Sequence, residues 1–191
     1  MPVQRGSVII SGMNAAENSF SPASQLCQAC GLCCNGHLFI WVKLRPAELD
    51  PAEALGMTVF RSDPTQRGFS QPCPLWQGVC TIYTSRHYPH ACRAYKCKLL
   101  KEVISESVSL STGLAFVEQA KVMLRELEPL LPDQPSRNFR ERLVARIEHP
   151  QEFAELKASE AEFQGKAAAL LAFYEQVFGV NDLLEKHSDS F

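Results

Sequence analysis

The sequence is short of several things, and each shortage removes a class of function. It has no excess of charge: 19 lysines and arginines face 21 aspartates and glutamates, a formal balance of −2. Such a chain carries no electrostatic footprint for nucleic acid. Long apolar runs are also missing. None approaches the roughly 18–20 residues that a bilayer-spanning helix needs, so no membrane partner is expected. Residues 1–25 hold a single basic residue, and their one apolar run, Val8-Ile9-Ile10, is too short for a secretory signal. A cytoplasmic location follows as the expectation. No glycine-rich phosphate loop, serine–histidine–acid set or pair of catalytic carboxylates stands out, so the sequence names no substrate and favours a non-catalytic reading.

Cysteine is the exception, and it is distributed unevenly. All eight cysteines lie between Cys27 and Cys97, and residues 98–191 contain none. In a reducing compartment structural disulfides are rare, and a cysteine framework is better read as metal-binding or catalytic. The order is Cys27-x2-Cys30-x2-Cys33-Cys34, then Cys73-x6-Cys80, then Cys92-x4-Cys97. A two-residue spacing lets one tight turn aim two sulfurs at a single centre while backbone amides support the thiolates. A thioredoxin-like pair would leave six thiols unexplained, and four disulfides would suit a secreted mini-protein. A catalytic thiol served by His37, His87 or His90 is conceivable, but no single cysteine is marked out. Each of these histidines could instead replace a sulfur as a ligand.

Cys33 and Cys34 make an awkward pair for one metal, because neighbouring side chains diverge. They could serve different centres, or one could ligate while the other packs. Eight thiolates could form two four-sulfur zinc sites or one iron–sulfur cluster with further ligands. Four thiolates on one dication leave a net −2, which Arg86, Arg93, Lys96 and Lys98 could offset.

The texture of the chain divides at the last cysteine. The expected fold is α+β: a small cysteine-rich domain with short strands, then an α-helical region. The expected segments are a flexible leader over 1–25, a metal-binding domain over 26–100 and a helical region over 101–191. Residues 37–44, 57–60 and 78–83 read as strands from their aromatic and β-branched content. Residues 45–57 read as one short helix or as two turns broken at Asp50-Pro51, with Gly56 as the stop. Residues 61–74 read as loop. Beyond Cys97, 98–110 is partly helical, and 112–131 carries an apolar stripe of Phe116, Ala120, Met123, Leu127 and Leu130. Phe139, Leu143 and Ile147 mark a shorter helix ending at His149-Pro150. A last helix over 152–179 presents Phe163, Ala167, Leu170, Leu171, Tyr174, Val177 and Phe178, with Gly179 as its stop and a frayed tail after it. These stripes read as core, and the helices as a scaffold or partner surface.

The cysteine run "CQACGLCC", with Cys80-Thr-Ile-Tyr83, Arg86 and "PHACRAYKC" (89–97), resembles the YkgJ-like cysteine cluster proteins, the CxxCxxCC family. The resemblance covers about residues 24–100. It implies zinc or iron chelation, an iron–sulfur cluster being one form of the iron, by Cys27, Cys30, Cys33, Cys34, Cys73, Cys80 and Cys92. Tyr83 and Arg93 also match. Cys97, the eighth candidate ligand, sits where many relatives have proline or another residue. The family usually places its arginine and proline side by side, whereas here His87-Tyr88 separates Arg86 from Pro89. A related cluster in flagellin lysine methylases is linked to an iron–sulfur centre and methyl transfer, which gives an alternative reading in redox or methyl-transfer chemistry.

Overall fold

The computed structural model of the chain describes residues 20–153 and 160–181. Helix α1 (Pro22–Cys30) opens it. Ser21 caps the helix by accepting from the Ser24 amide at 3.3 Å, and Pro22 supplies a first-turn residue that needs no N–H. Residues 20–25 of the expected leader are therefore ordered chain leading into the cysteine run, while residues 1–19 lie outside the described residues.

A three-stranded antiparallel sheet follows, built from β1 (Trp41–Lys43), β2 (Val59–Phe60) and β3 (Gly68–Ser70) in the order β1-β3-β2. Val42 pairs with Phe69 on one side, and Val59 pairs with Phe69 on the other. Two strand expectations need correction. The strand expected over 37–44 shrinks to three residues. Residues 78–83 form turns, with a single bridge between Trp76 and Cys80, and the third strand instead comes from the supposed loop. That central strand is only Gly68-Phe69-Ser70, too brief to show an alternating pattern. Gly68 is obligatory there, since a Cβ would stand 2.1 Å from the Val42 carbonyl oxygen.

Between β1 and β2, a 3₁₀ turn (Pro46–Glu48) runs straight into α2 (Leu49–Ala54) without a break at Asp50-Pro51. Pro51 falls in the first turn of α2, where amides have no intrahelical acceptor. The remaining helices are α3 (His90–Ala94), α4 (Lys98–Ile104), α5 (Leu110–Leu127), α6 (Phe139–Glu148) and α7 (Glu160–Phe173). A π turn (Tyr174–Phe178) closes α7, ended by Gly179 at φ +69. The last helix was expected from residue 152. Residues 150–153 form a 3₁₀ turn, and 154–159 and the tail from residue 182 lie outside the described residues.

The buried stripe of α5 is Gly113, Val117, Ala120, Leu124 and Leu127. Of the expected stripe only Ala120 and Leu127 are in it; Phe116, Met123 and Leu130 lie partly buried at its edge. Two alternative stripes one residue apart satisfy the same periodicity, and only the neighbouring helices choose between them. Neither buried arginine of α6 was foreseen. Arg140 donates to the Leu38 carbonyl, and the Arg146 guanidinium lies 4.0 Å over the Phe163 ring.

The expected class, α+β with a helical C-terminal region, is the one observed. Its main core ignores the boundary between cysteine-rich and helical segments. Leu26, Leu32 and Leu38 are 1–2% exposed and share one cluster with Val117, Leu143, Phe163, Leu170 and Phe178. A smaller cluster of Leu44, Leu49, Ala52, Met57 and Phe69 sits under the sheet. Truncating Leu26 to alanine should cost about 2–5 kcal/mol in denaturant unfolding, the usual range for a buried leucine. Because the core is shared, amide exchange should quicken in α5 and α7 as well as in α1.

Candidate metal centre

The cysteine run begins on a helix and ends in a turn. Cys27 and Cys30 lie three residues apart in the last turns of α1, so both project from one side of it. The helix stops at Gly31 (φ +72), and no other residue fits: a Cβ there would lie 2.2 Å from Trp76 Cζ2. Leu32 drops into the main core and accepts the His37 amide at 3.0 Å, closing the turn that carries Cys33 and Cys34. The second cysteine segment is fastened to this turn by the Cys73 amide, which donates to the Cys34 carbonyl at 2.7 Å. Cys73 and Cys80 sit on successive turns bridged by Trp76. Cys92 lies in α3, and Cys97 caps α4 by accepting the Leu100 amide on Sγ at 3.4 Å.

All eight are free, half-buried thiols, and their electrostatic influence on one another gives two overlapping neighbourhoods, joined by Cys27, which Cys80 acts on and which acts on Cys34 and Cys92, and by the action of Cys34 on Cys33. Cys33 is acted on by Cys30, Cys34, Cys97 and Cys27, and Cys97 also acts on Cys27 and Cys30. Cys34 is acted on by Cys92, Cys73 and Cys80, with Cys27 last. Cys92 in turn feels Cys73 and Cys80. The packing agrees with this division. Cys30, Cys33 and Cys97 lean on the main core, while Cys73 and Cys92 lean on the small core under the sheet.

Burial is the first cause of every thiol's shift and pushes all of them upward, to about 11 for Cys27 and about 12 for Cys30 and Cys92. The neighbouring sulfurs add to this. Backbone amides oppose it: Leu32 supports Cys30, Leu75 and Trp76 support Cys73, Ile82 supports Cys80, and Leu100 supports Cys97. Without a further cation the thiols are therefore neutral at pH 7, yet they are already held by donors suited to thiolates. That donor set fits a thiophilic dication, which would supply the charge needed to ionise them. Among the described residues no three His, Cys, Asp or Glu side chains stand close enough to hold an ion as placed, so the sulfurs would have to draw together around it.

The other expected participants lie elsewhere. His37 packs edge-on against Phe139 at 5.0 Å between centroids, and the charged groups that act on it are Glu128 and Arg142. Arg86 Nε donates to His87 Nε2 at 3.1 Å, and the His90 amide donates to Glu48 Oε1. Arg93 lies 5.4 Å over the Tyr88 ring, and Lys98 reaches the Gln176 carbonyl at 2.8 Å. The cations that act on thiols are Lys121, on Cys30, and Lys101, on Cys97.

Tyr88 escaped the sequence reading. Its hydroxyl donates to the Cys92 carbonyl at 3.3 Å, and burial together with Cys92, Cys27, Cys80 and Cys34 drives its ionisation far up. It touches both neighbourhoods electrostatically. The signal was present, because Tyr88 is half of the His87-Tyr88 insertion that separates Arg86 from Pro89.

A folded thiol cluster of this kind, with no disulfide among the described cysteines, defines a soft-metal-binding protein class. Residues 26–112 match the family model CxxCxxCC, described as "Putative zinc- or iron-chelating domain". Neither curated proteins nor solved structures gave a significant match. No described helix is long and apolar enough to cross a membrane.

The burial of His37 has a pH signature. Its pKa falls from 6.5 to about 4, chiefly through burial, with Arg142 adding and Glu128 opposing. The unfolded chain thus binds the proton more readily, and the stability tied to neutral His37 is complete above pH 6.5 and lost as pH falls toward 4. Replacing it in His37→Phe should flatten the urea-unfolding stability curve across that window.

Proposed function

We propose that this protein holds zinc or iron through cysteine thiolates in two centres. Cys27, Cys30, Cys33 and Cys97 build the first; Cys34, Cys73, Cys80 and Cys92 build the second. The observation that carries this reading is that Cys33 packs on the main core with Cys30 and Cys97, whereas Cys34 is tied through its carbonyl to the Cys73 amide and is acted on first by Cys92 and Cys73. Each set supplies four thiols, the number that completes a closed tetrahedral zinc site. The match of residues 26–112 to a family model described as a zinc- or iron-chelating domain supports the metal class.

The metal would ionise the thiols of its set and release their protons, and its binding free energy would add to folding. Amides at Leu32, Leu75, Trp76, Ile82 and Leu100 would hold the resulting thiolates in place. The role we assign is metal holding rather than catalysis. An iron–sulfur form serving redox or methyl-transfer chemistry would occupy the same cysteines.

Purification without air, followed by elemental analysis and a visible spectrum, tests the reading. Two equivalents of metal per chain are expected. Cys34→Ser should lose the second and Cys33→Ser the first, each retaining about one equivalent. A Cys34→Ser protein that still holds two, or a wild-type chain that holds one, would rule out two centres. Colourless zinc protein excludes the iron–sulfur form; iron with matching sulfide excludes zinc.

A further inference from the structure

The first sulfur set is walled in by residues beyond the matched domain. The π turn is latched onto the chain immediately after Cys97: Lys98 Nζ donates to the Gln176 carbonyl at 2.8 Å, and Gly179 packs against the Lys98 side chain. From α5, Lys121 Nζ donates at 2.9 Å to the carbonyl of Ala29, the residue before Cys30. Tyr174 begins the π turn and is fully buried, with its ring edge-on to Phe178 at 5.9 Å. Its hydroxyl lies in the core without a hydrogen-bond partner. Cys30 and Cys33 pack against the same core cluster, and after burial itself they are the groups that oppose ionisation of the phenol.

A buried phenol with nothing to donate to is unusual, and π turns concentrate at functional sites. The chemistry of the neighbouring sulfurs suggests its use. A neutral thiol is a weak acceptor, whereas an ionised sulfur is a strong one. The orphan hydroxyl therefore gains a partner when the cysteines beside it become thiolates.

We propose that Tyr174 is a positioning residue of the first metal centre, donating its O–H to the thiolate of Cys30 or Cys33 once that set holds a metal, with Lys121 offsetting charge from the side of α5. This rests on the two-centre reading. It gives the helical region a task, as the cover and outer hydrogen-bond shell of one centre. It also makes the two centres unequal, since only the first is backed by these helices.

The test uses the full-length chain carrying Cys34→Ser, which isolates the first centre, with and without Tyr174→Phe. Zinc affinity is measured against a chromophoric chelator, and cobalt(II) serves as a spectroscopic probe. Tyr174→Phe should weaken zinc binding about 10–100-fold, the usual loss for an outer-shell partner. It should also move the sulfur-to-cobalt charge-transfer band to lower energy, because a thiolate relieved of a hydrogen bond is more electron-rich. The metal-free variant should unfold at the same denaturant midpoint as its parent, since no bond is lost there. Equal affinity and an unmoved band would overturn the role of Tyr174. So would a loss of stability in the metal-free protein matching that in the zinc form, which would mean a purely structural hydroxyl. If the Cys34→Ser parent takes up no metal, the two-centre reading itself has failed.

Discussion

Eight thiols cannot be buried together as charges, and much of this structure follows from that. Ionising any one of them inside the fold is opposed first by the loss of water, and for Cys33 and Cys34 next by the sulfurs around them. Neutral thiols, in turn, do little for the amides turned toward them. The arrangement is coherent only if positive charge arrives from outside the side-chain inventory, because Lys121 and Lys101 are the cations placed to act on these sulfurs and each acts on one. The amide donors and the unpaired phenol are both understandable as parts of a scaffold prepared for a cation that prefers soft ligands.

The scaffold is made by two cores of different size. The small one, beneath three short strands, supports Cys73 and Cys92. The large one supports Cys30, Cys33 and Cys97 and draws most of its residues from the helical region. Gly31 and Trp76 hold the two together: an indole occupies the space a side chain would need, so the end of α1 and the Cys73–Cys80 turns are in direct contact. The proposed sharing of neighbouring cysteines between two centres follows from this junction, because Leu32 anchors the turn on the large core while the Cys34 carbonyl is tied to the Cys73 amide.

Much of this was legible in the sequence, and the failures have physical causes. The α+β class, the helices after Cys97 and the metal chemistry of the cysteines came from composition, periodicity and spacing. The buried face of α5 did not, because Val117 and Leu124 compete with Phe116 and Met123 on the helical period, and tertiary neighbours decide. The middle strand was hidden because Gly68-Phe69-Ser70 has one apolar residue and a glycine required by a neighbouring carbonyl. Residues 78–83 look like a strand by content yet turn to present Cys80. Tyr174 read as one more core aromatic; its distinction is an unpaired hydroxyl, which no sequence pattern reveals. Nor could spacing show that Cys97 acts on Cys27, Cys30 and Cys33, since α4 must first dock against α1.

The position of Leu26, Leu32 and Leu38 has a consequence for modularity. The recognisable domain ends at residue 112, but its apolar underside is covered by α5, α6 and α7, whose chain runs well past that point. Family boundary and folding boundary therefore do not coincide. A fragment cut at residue 112 would carry every cysteine and still present a greasy, adhesive wall to solvent, prone to self-association before any metal reached it. In a chain built this way the recognisable motif is not a portable cassette; it is inherited together with its cover.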